Sequence, residues 1–239
     1  MPEAGVQFIP HEKILRLEEI AEFVKVANNY GIHKIRLTGG EPLVRKGIVT
    51  LVEMIGKIKG INDLSMTTNG FLLEQFAIPL AQAGLQRVNI SLDTLNPERF
   101  KQITRFGNLE TVINGIFAAQ KAGLHPIKLN VVIKNNKNEE DAQEVAQFAQ
   151  KYGFEVRYIH QMNLSNGTFS QVEGGEGGHC STCNRLRLTA DGYLMPCLFS
   201  NQKYNIRELG YEKALLQAVK EKPTSGKTNN SRGFYNVGG

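Results

Sequence analysis

Between His33 and Met162 the chain repeats one alternation, a short strand-like run followed by a stretch of helical period. The strand candidates are "HKIRLTG", "DLSMTTNG", "QRVNISLD", "PIKLNVVIK" and "FEVRYIHQM". Between them "GIVTLVEMIGKI", "LLEQFAIPLAQAG", the run from Leu109 to Gly123 and "NEEDAQEVAQFAQKYG" carry apolar residues at helical spacing. A further helical pattern runs from His11 to Tyr30, with Gly31 as its stop. Parallel strands need a crossover that a helix supplies, so five such runs predict right-handed βαβ units and one parallel sheet. The pattern opens on a helix, so a first strand is expected to be missing.

Side chains alternate across a strand, and the parity here is one-sided. Val88, Ile90 and Leu92 share a face opposite Asn89, Ser91 and Asp93; Ile127, Leu129, Val131 and Ile133 share one opposite Lys128, Asn130 and Val132. Arg36 falls with Thr38, Thr67 with Ser65 and Asn69, and Arg157 opposite Val156 and Tyr158. A doubly wound sheet buries both faces and reads almost continuously apolar. A curved sheet with helices outside and a polar lumen, a full or partial barrel, accounts for the pattern; polar residues near the strand ends are the plainer alternative. The C-terminal strand ends carry "TGGEP", "TTNG", "SLD" and "YIHQM", where such barrels place their active sites. Gly39 and Gly40 allow positive φ and Glu41 could pair with a ligand ammonium, although "TGGEP" alone also suits a turn and a helix cap.

The composition, 41% hydrophobic and 8% aromatic, is that of a globular chain with a core. No run of about 18 apolar residues occurs and Met1 to Gln7 lacks the features of a signal peptide, so a cytoplasmic location is expected. A net charge of +5 without any dense basic run favours a small anionic ligand over nucleic acid or a membrane. All three cysteines fall within "CSTCNRLRLTADGYLMPC". Cys180 and Cys183 share a tight turn, and "TADG" turns a hairpin that returns Cys197. A structural zinc site usually has four ligands. Three thiolates fit an iron–sulfur cluster with one iron open; zinc completed by His179 or a remote residue, and three unligated thiols, remain as alternatives. Arg185 and Arg187 alternate beside this site and form a clamp for phosphate or carboxylate.

In order along the chain, "RLTGGEP", "TTNG", "SLD", "KLNVV", "CSTCNRLRLTADG" and a terminal "GG" resemble the GTP 3′,8-cyclase family, radical S-adenosylmethionine enzymes of molybdenum cofactor (molybdopterin) biosynthesis. The resemblance implies an α/β fold, a partial (βα)6 TIM-type barrel with its first strand missing here, over residues 1–163. It further implies a C-terminal iron–sulfur and substrate-binding region over 164–239. In the family one 4Fe–4S cluster on an N-terminal CxxxCxxC cleaves S-adenosylmethionine to a deoxyadenosyl radical, and a second, on the C-terminal cysteines, holds the purine. The radical abstracts hydrogen from ribose C3′ of GTP, and the new bond closes onto C8.

Residue by residue, the resemblance assigns Gly40, Ser91 and Met162 to S-adenosylmethionine and Arg36, Thr67, Lys128, Arg185 and Arg187 to GTP. Cys180, Cys183 and Cys197 are matched to the C-terminal 4Fe–4S cluster. Partners implied are GTP, S-adenosylmethionine and an electron donor, with neither nucleic acid nor membrane, and with room for a homodimer. Three departures stand out: the run from Asn163 to His179 is short, His160 replaces a common glutamate, and no CxxxCxxC occurs. "MPEAGVQF" resembles the residues following that motif, so an N-terminally incomplete chain, inactive alone in radical chemistry, is expected. A radical-enzyme paralogue with another substrate and a non-catalytic nucleotide-binding module are the competing functions.

Overall fold

A computed structural model describes residues 9–163 and 165–230; "MPEAGVQF" and the terminal "GG" lie outside the described residues. Strands β1 (Lys34–Leu37), β2 (Asp63–Thr68), β3 (Arg87–Ser91), β4 (Ile127–Ile133) and β5 (Glu155–His160) form one parallel sheet in sequential order. Helices α2 (Ile48–Gly56), α3 (Leu73–Gln82), α5 (Leu109–Lys121) and α6 (Glu140–Tyr152) supply the crossovers, after α1 (Leu17–Asn29). The order never reverses, which excludes a doubly wound sheet.

The register extends the parity seen in sequence. Leu37, Met66, Val88 and Ile127 lie side by side, as do Thr68, Ile90, Leu129 and Val156. This face forms one cluster with Val52, Ile55, Leu80, Ile116 and Val145 of the crossover helices. Met66, Val88, Ile90 and Leu129 are wholly buried, and each such side chain contributes about 1.5–3 kcal/mol relative to exposure. The helices therefore cover one face and leave the other for polar side chains.

Two details depart from the sequence expectation. The first helix begins at Leu17 rather than His11. Pro10 leads into a single turn over His11–Lys13, and Ile14 to Arg16 run extended because their polar groups are engaged elsewhere. Leu15 N–H donates to the Ala190 carbonyl, Arg45 Nη2 donates to the Leu15 carbonyl at 2.6 Å, and Arg207 binds the carbonyls of Lys13 and Ile14. A helix α4 (Pro97–Thr104) lies outside the helical patterns of the sequence, although Asn96 caps it by accepting from Glu98 and Arg99 N–H, and Pro97 opens it.

Beyond β5 the chain folds back on that strand: Tyr158 and Glu173 exchange both backbone hydrogen bonds. Gly174, at φ 75°, permits the turn, since a Cβ there would stand 2.4 Å from the Val156 carbonyl oxygen. A three-stranded antiparallel sheet of β6 (Arg187–Leu188), β7 (Tyr193–Met195) and β8 (Tyr204–Asn205) follows, then α7 (Ile206–Leu209) and α8 (Tyr211–Lys220). Leu194, Tyr204, Ile206, Ala214, Leu215 and Ala218 build a second core with Leu15, Phe23 and Ala27. Thus α1 gives Val24 to one core and Phe23 and Ala27 to the other, fixing the C-terminal region against the parallel sheet's first helix. Among the described residues no helix is long and apolar enough to cross a membrane.

Candidate active site

Parallel strands place all their C-terminal ends on one edge. Gly40 lies just past β1, Ser91 ends β3 and Met162 lies just past β5, so the topology brings the three to that edge; Gly40 and Ser91 are exposed and Met162 is half-buried. Gly39 takes a positive φ of 153°, whereas Gly40 does not, correcting the expectation for the pair; a Cβ at either would meet open space. The chain's own donors engage both oxygens of Glu41, Oε2 through a single hydrogen bond. Oε1 accepts from Leu43 N–H and, at 2.7 Å, from the Thr68 hydroxyl; Oε2 accepts from Asn69 N–H at 2.7 Å. The carboxylate clasps the ends of β1 and β2 together.

On the open face, register aligns Arg36 with Ser65 and Arg87; Thr67 with Asn89, Lys128 and Glu155; and Ser91 with Asn130 and Arg157. Arg36 Nε donates to Ser65 Oγ at 3.5 Å. Arg87 forks onto Asp63 at 2.8 and 2.6 Å, and Lys128 pairs with Glu155. Buried atoms lacking a protein partner among the described residues are Asn89 Oδ1, Asn130 Oδ1, Arg87 Nη1 and Arg157 Nε. All four residues belong to this face, and such atoms call for a polar ligand or water.

The face is crowded with cations. Burial, with Arg157, Arg87 and Arg185 nearby, lowers the Arg36 pKa to about 10. By surface area Arg36 is exposed, so the face on which it lies is open to solvent rather than sealed. Burial, Arg87 and Arg185 likewise depress Arg157, against the opposing pull of Glu155 and Glu176. Burial and then Arg185 depress Arg187, while the Cys197 and Cys183 thiols act the other way. Arg36, Arg157, Arg185 and Arg187 therefore form one connected cationic group reaching from the sheet to the cysteines. The returning loop frames it, since a Cβ on Gly175 would stand 3.4 Å from Arg157 Nε and one on Gly177 3.4 Å from Arg185 Nη1.

Cys180–Thr182 form a single turn, with Cys183 N–H donating to the Cys180 carbonyl. The hairpin expected from "TADG" is present: Arg187 pairs with Met195, Leu188 with Leu194, and Thr189 Oγ1 holds the turn by donating to Asp191 Oδ1 at 2.6 Å. The three cysteines are free and half-buried. Burial pushes the Cys197 thiol up, the Phe199 N–H and Lys222 draw it down, and Cys183 and Cys180 push it up again, so the three are electrostatic neighbours. Among the described residues no group of three His, Cys, Asp or Glu meets the geometry for holding one metal ion. A cluster does not require it, since each thiolate sits on a different iron. Three neighbouring soft ligands, a backbone N–H on one sulfur and flanking cations are a donor set that fits an anionic iron–sulfur cluster.

Fold and site define a radical S-adenosylmethionine protein. The Radical SAM superfamily model matches residues 3–149, and the Molybdenum Cofactor Synthesis C model matches residues 120–230. Native anSMEcpe with bound AdoMet shares the fold at a TM-score of 0.61 and 16% identity, over 88% of this chain and 72% of that one. Methylornithine synthase gives a TM-score of 0.52 at 17% identity, over 62% of this chain and 44% of that one. The GTP 3′,8-cyclase of Heliobacterium modesticaldum is 40% identical over 87% of this chain and 78% of the relative. That of Moorella thermoacetica is 41% identical over the same shares, and that of Alkaliphilus oremlandii 36% identical over 100% and 92%. The chain belongs to the GTP 3′,8-cyclase family. Its alignment with the Alkaliphilus protein runs to 293 positions against 239 residues here, so that relative carries internal residues without a counterpart in this chain.

Proposed function

We propose that this chain binds GTP in the cationic cleft between the parallel sheet and the three-cysteine site and serves its conversion to (8S)-3′,8-cyclo-7,8-dihydroguanosine 5′-triphosphate in molybdopterin biosynthesis. The sheet is read as the wall of a partial barrel. Residues 1–163 provide the S-adenosylmethionine rim, and 164–239 the cluster and nucleotide grip. The C-terminal cluster would supply an open iron for the purine; the deoxyadenosyl radical needs a second cluster, for which Cys180, Cys183 and Cys197 leave this chain no thiolates, so the chain alone is inactive in radical chemistry. Cys180, Cys183 and Cys197 hold the C-terminal 4Fe–4S cluster; Gly40, Ser91 and Met162 line the S-adenosylmethionine side. An electron donor is required, and a homodimer is compatible with the reading.

The observation that carries it is a chain of neighbouring guanidinium groups: Arg36 and Arg157 of the sheet lie near Arg185, Arg185 lies near Arg187, and Arg187 lies near Cys183 and Cys197. Arg36, Arg157 and Arg185 repel one another against the pull of Asp63, Glu155 and Glu176, and a triphosphate relieves that repulsion by charge-assisted, forked hydrogen bonds. Thr67 and Lys128 lie in one row of the same face. The orphaned acceptors of Asn89 and Asn130 suit the hydroxyl and amino groups of a nucleoside. The test is anaerobic calorimetry of the reconstituted chain with GTP, ATP and inorganic tripolyphosphate. GTP is expected to bind at least about tenfold more tightly than either, a difference of about 1.4 kcal/mol. Equal binding of all three would leave only an anion site, and preference for another purine nucleotide would make the chain a paralogue with a different substrate.

A further inference from the structure

The cysteines lie on two chain segments, the Cys180–Cys183 turn and the hairpin return at Cys197, and one side chain ties the segments together. Lys222, just past α8, donates through Nζ to the Arg185 carbonyl at 2.7 Å and also to the Pro196 carbonyl. Arg185 lies two residues beyond Cys183, and Pro196 immediately precedes Cys197. The lysine's own backbone is held in place. Its neighbour Glu221 accepts from the Tyr204 hydroxyl of β8 at 2.6 Å and from Gln217 Nε2 at 3.2 Å. The following tail then crosses the site: Lys227 N–H donates to the Phe199 carbonyl, Asn229 Nδ2 donates to the Leu198 carbonyl at 2.9 Å, and Gly226 lies against Cys197 Sγ.

We propose that Lys222 is a positioning residue of the three-cysteine site, strapping its two cysteine-bearing segments together and setting the positive charge beside Cys197. The inference rests on reading the site as an iron–sulfur centre. Reduction adds negative charge to a cluster, so a fixed ammonium beside one of its thiolates favours the reduced form. The two carbonyl contacts cannot be made by an apolar side chain of similar length. Methionine therefore removes both strap and charge, glutamine keeps hydrogen-bond donors without charge, and arginine keeps both.

The test begins with iron and acid-labile sulfide in the anaerobically reconstituted wild-type chain; zinc in place of iron there would refute the iron–sulfur reading itself, independently of Lys222. The reduction midpoint and the rate of iron release to a chelator are then compared across K222M, K222Q and K222R. In K222M and K222Q the oxidised-to-reduced ratio at a fixed potential should rise about tenfold, a midpoint lower by about 59 mV for one electron. K222M should also release iron several-fold faster, and K222R should restore both readouts. Circular dichroism accompanies each variant; if K222M does not fold, K222Q against K222R decides. Wild-type midpoints in K222M or K222Q, equal perturbation in K222R, or unfolding of K222Q as well would overturn the proposal.

Discussion

Arg36→Met should make the anion-free protein more stable while weakening its hold on GTP. Arg36 pays an electrostatic penalty in the folded state, where burial and three neighbouring arginines lower its pKa to about 10. For a fully buried group, such a depression corresponds to about 3 kcal/mol. Arg36 is open to solvent on one side, and screening reduces the figure to about 1 kcal/mol. The sign follows from linkage. The folded pKa lies below the unfolded one, so the full penalty applies at every pH below about 10, where the guanidinium is charged in both states. Methionine retains the alkyl packing and removes the charge. Urea melts at low salt should show a gain of about 1 kcal/mol without nucleotide. A lost charge-assisted contact is worth about 1.5–3 kcal/mol, so GTP affinity should fall at least about tenfold. Saturating GTP should therefore stabilise the wild type more than the variant. A less stable variant in the absence of anions, or equal stabilisation of both proteins by GTP, would refute the reasoning.

Glu41→Ala leaves the Leu43 and Asn69 N–H groups and the Thr68 hydroxyl without their acceptor and should lower stability by about 1–3 kcal/mol in chemical melts, with weaker S-adenosylmethionine binding. Gly226→Ala would place a Cβ 2.6 Å from that of Phe199 and 3.4 Å from Cys197 Sγ; a loss of about 1–3 kcal/mol and a lower iron content after reconstitution are expected. Glu19 is held near a pKa of about 2, chiefly by Arg207, so its contribution is complete above the usual carboxylate range and is lost as pH falls toward 2. Arg207→Ala should accordingly flatten the acid limb of the stability–pH curve, seen as a smaller loss of melting temperature below pH 4.5.

The sheet was legible because its helices cover one face only: the alternation of Val88, Ile90 and Leu92 with Asn89 and Ser91 reports the side on which each lies. The cysteine hairpin was legible from its turn residues. Other features depend on contacts distant in sequence. The extended run before α1 follows from Arg45 and from Arg207, almost two hundred residues away, taking up its carbonyls. The Glu41 clasp depends on β2, and the Lys222 strap on two carbonyls that no side-chain pattern announces. Helix α4 is different, since Asn96 and Pro97 form a recognisable start; its weakly apolar sequence, with Phe100 its only buried residue, concealed it.

The central claim is a cluster on Cys180, Cys183 and Cys197 whose open iron faces bound GTP. Mössbauer spectroscopy of the chain reconstituted anaerobically with enriched iron tests it most directly, with and without GTP. The account predicts about four irons per chain in a single 4Fe–4S cluster, with one iron site changed by GTP and left unchanged by ATP. Stoichiometric zinc without iron uptake, or a cluster spectrum indifferent to GTP, would contradict it.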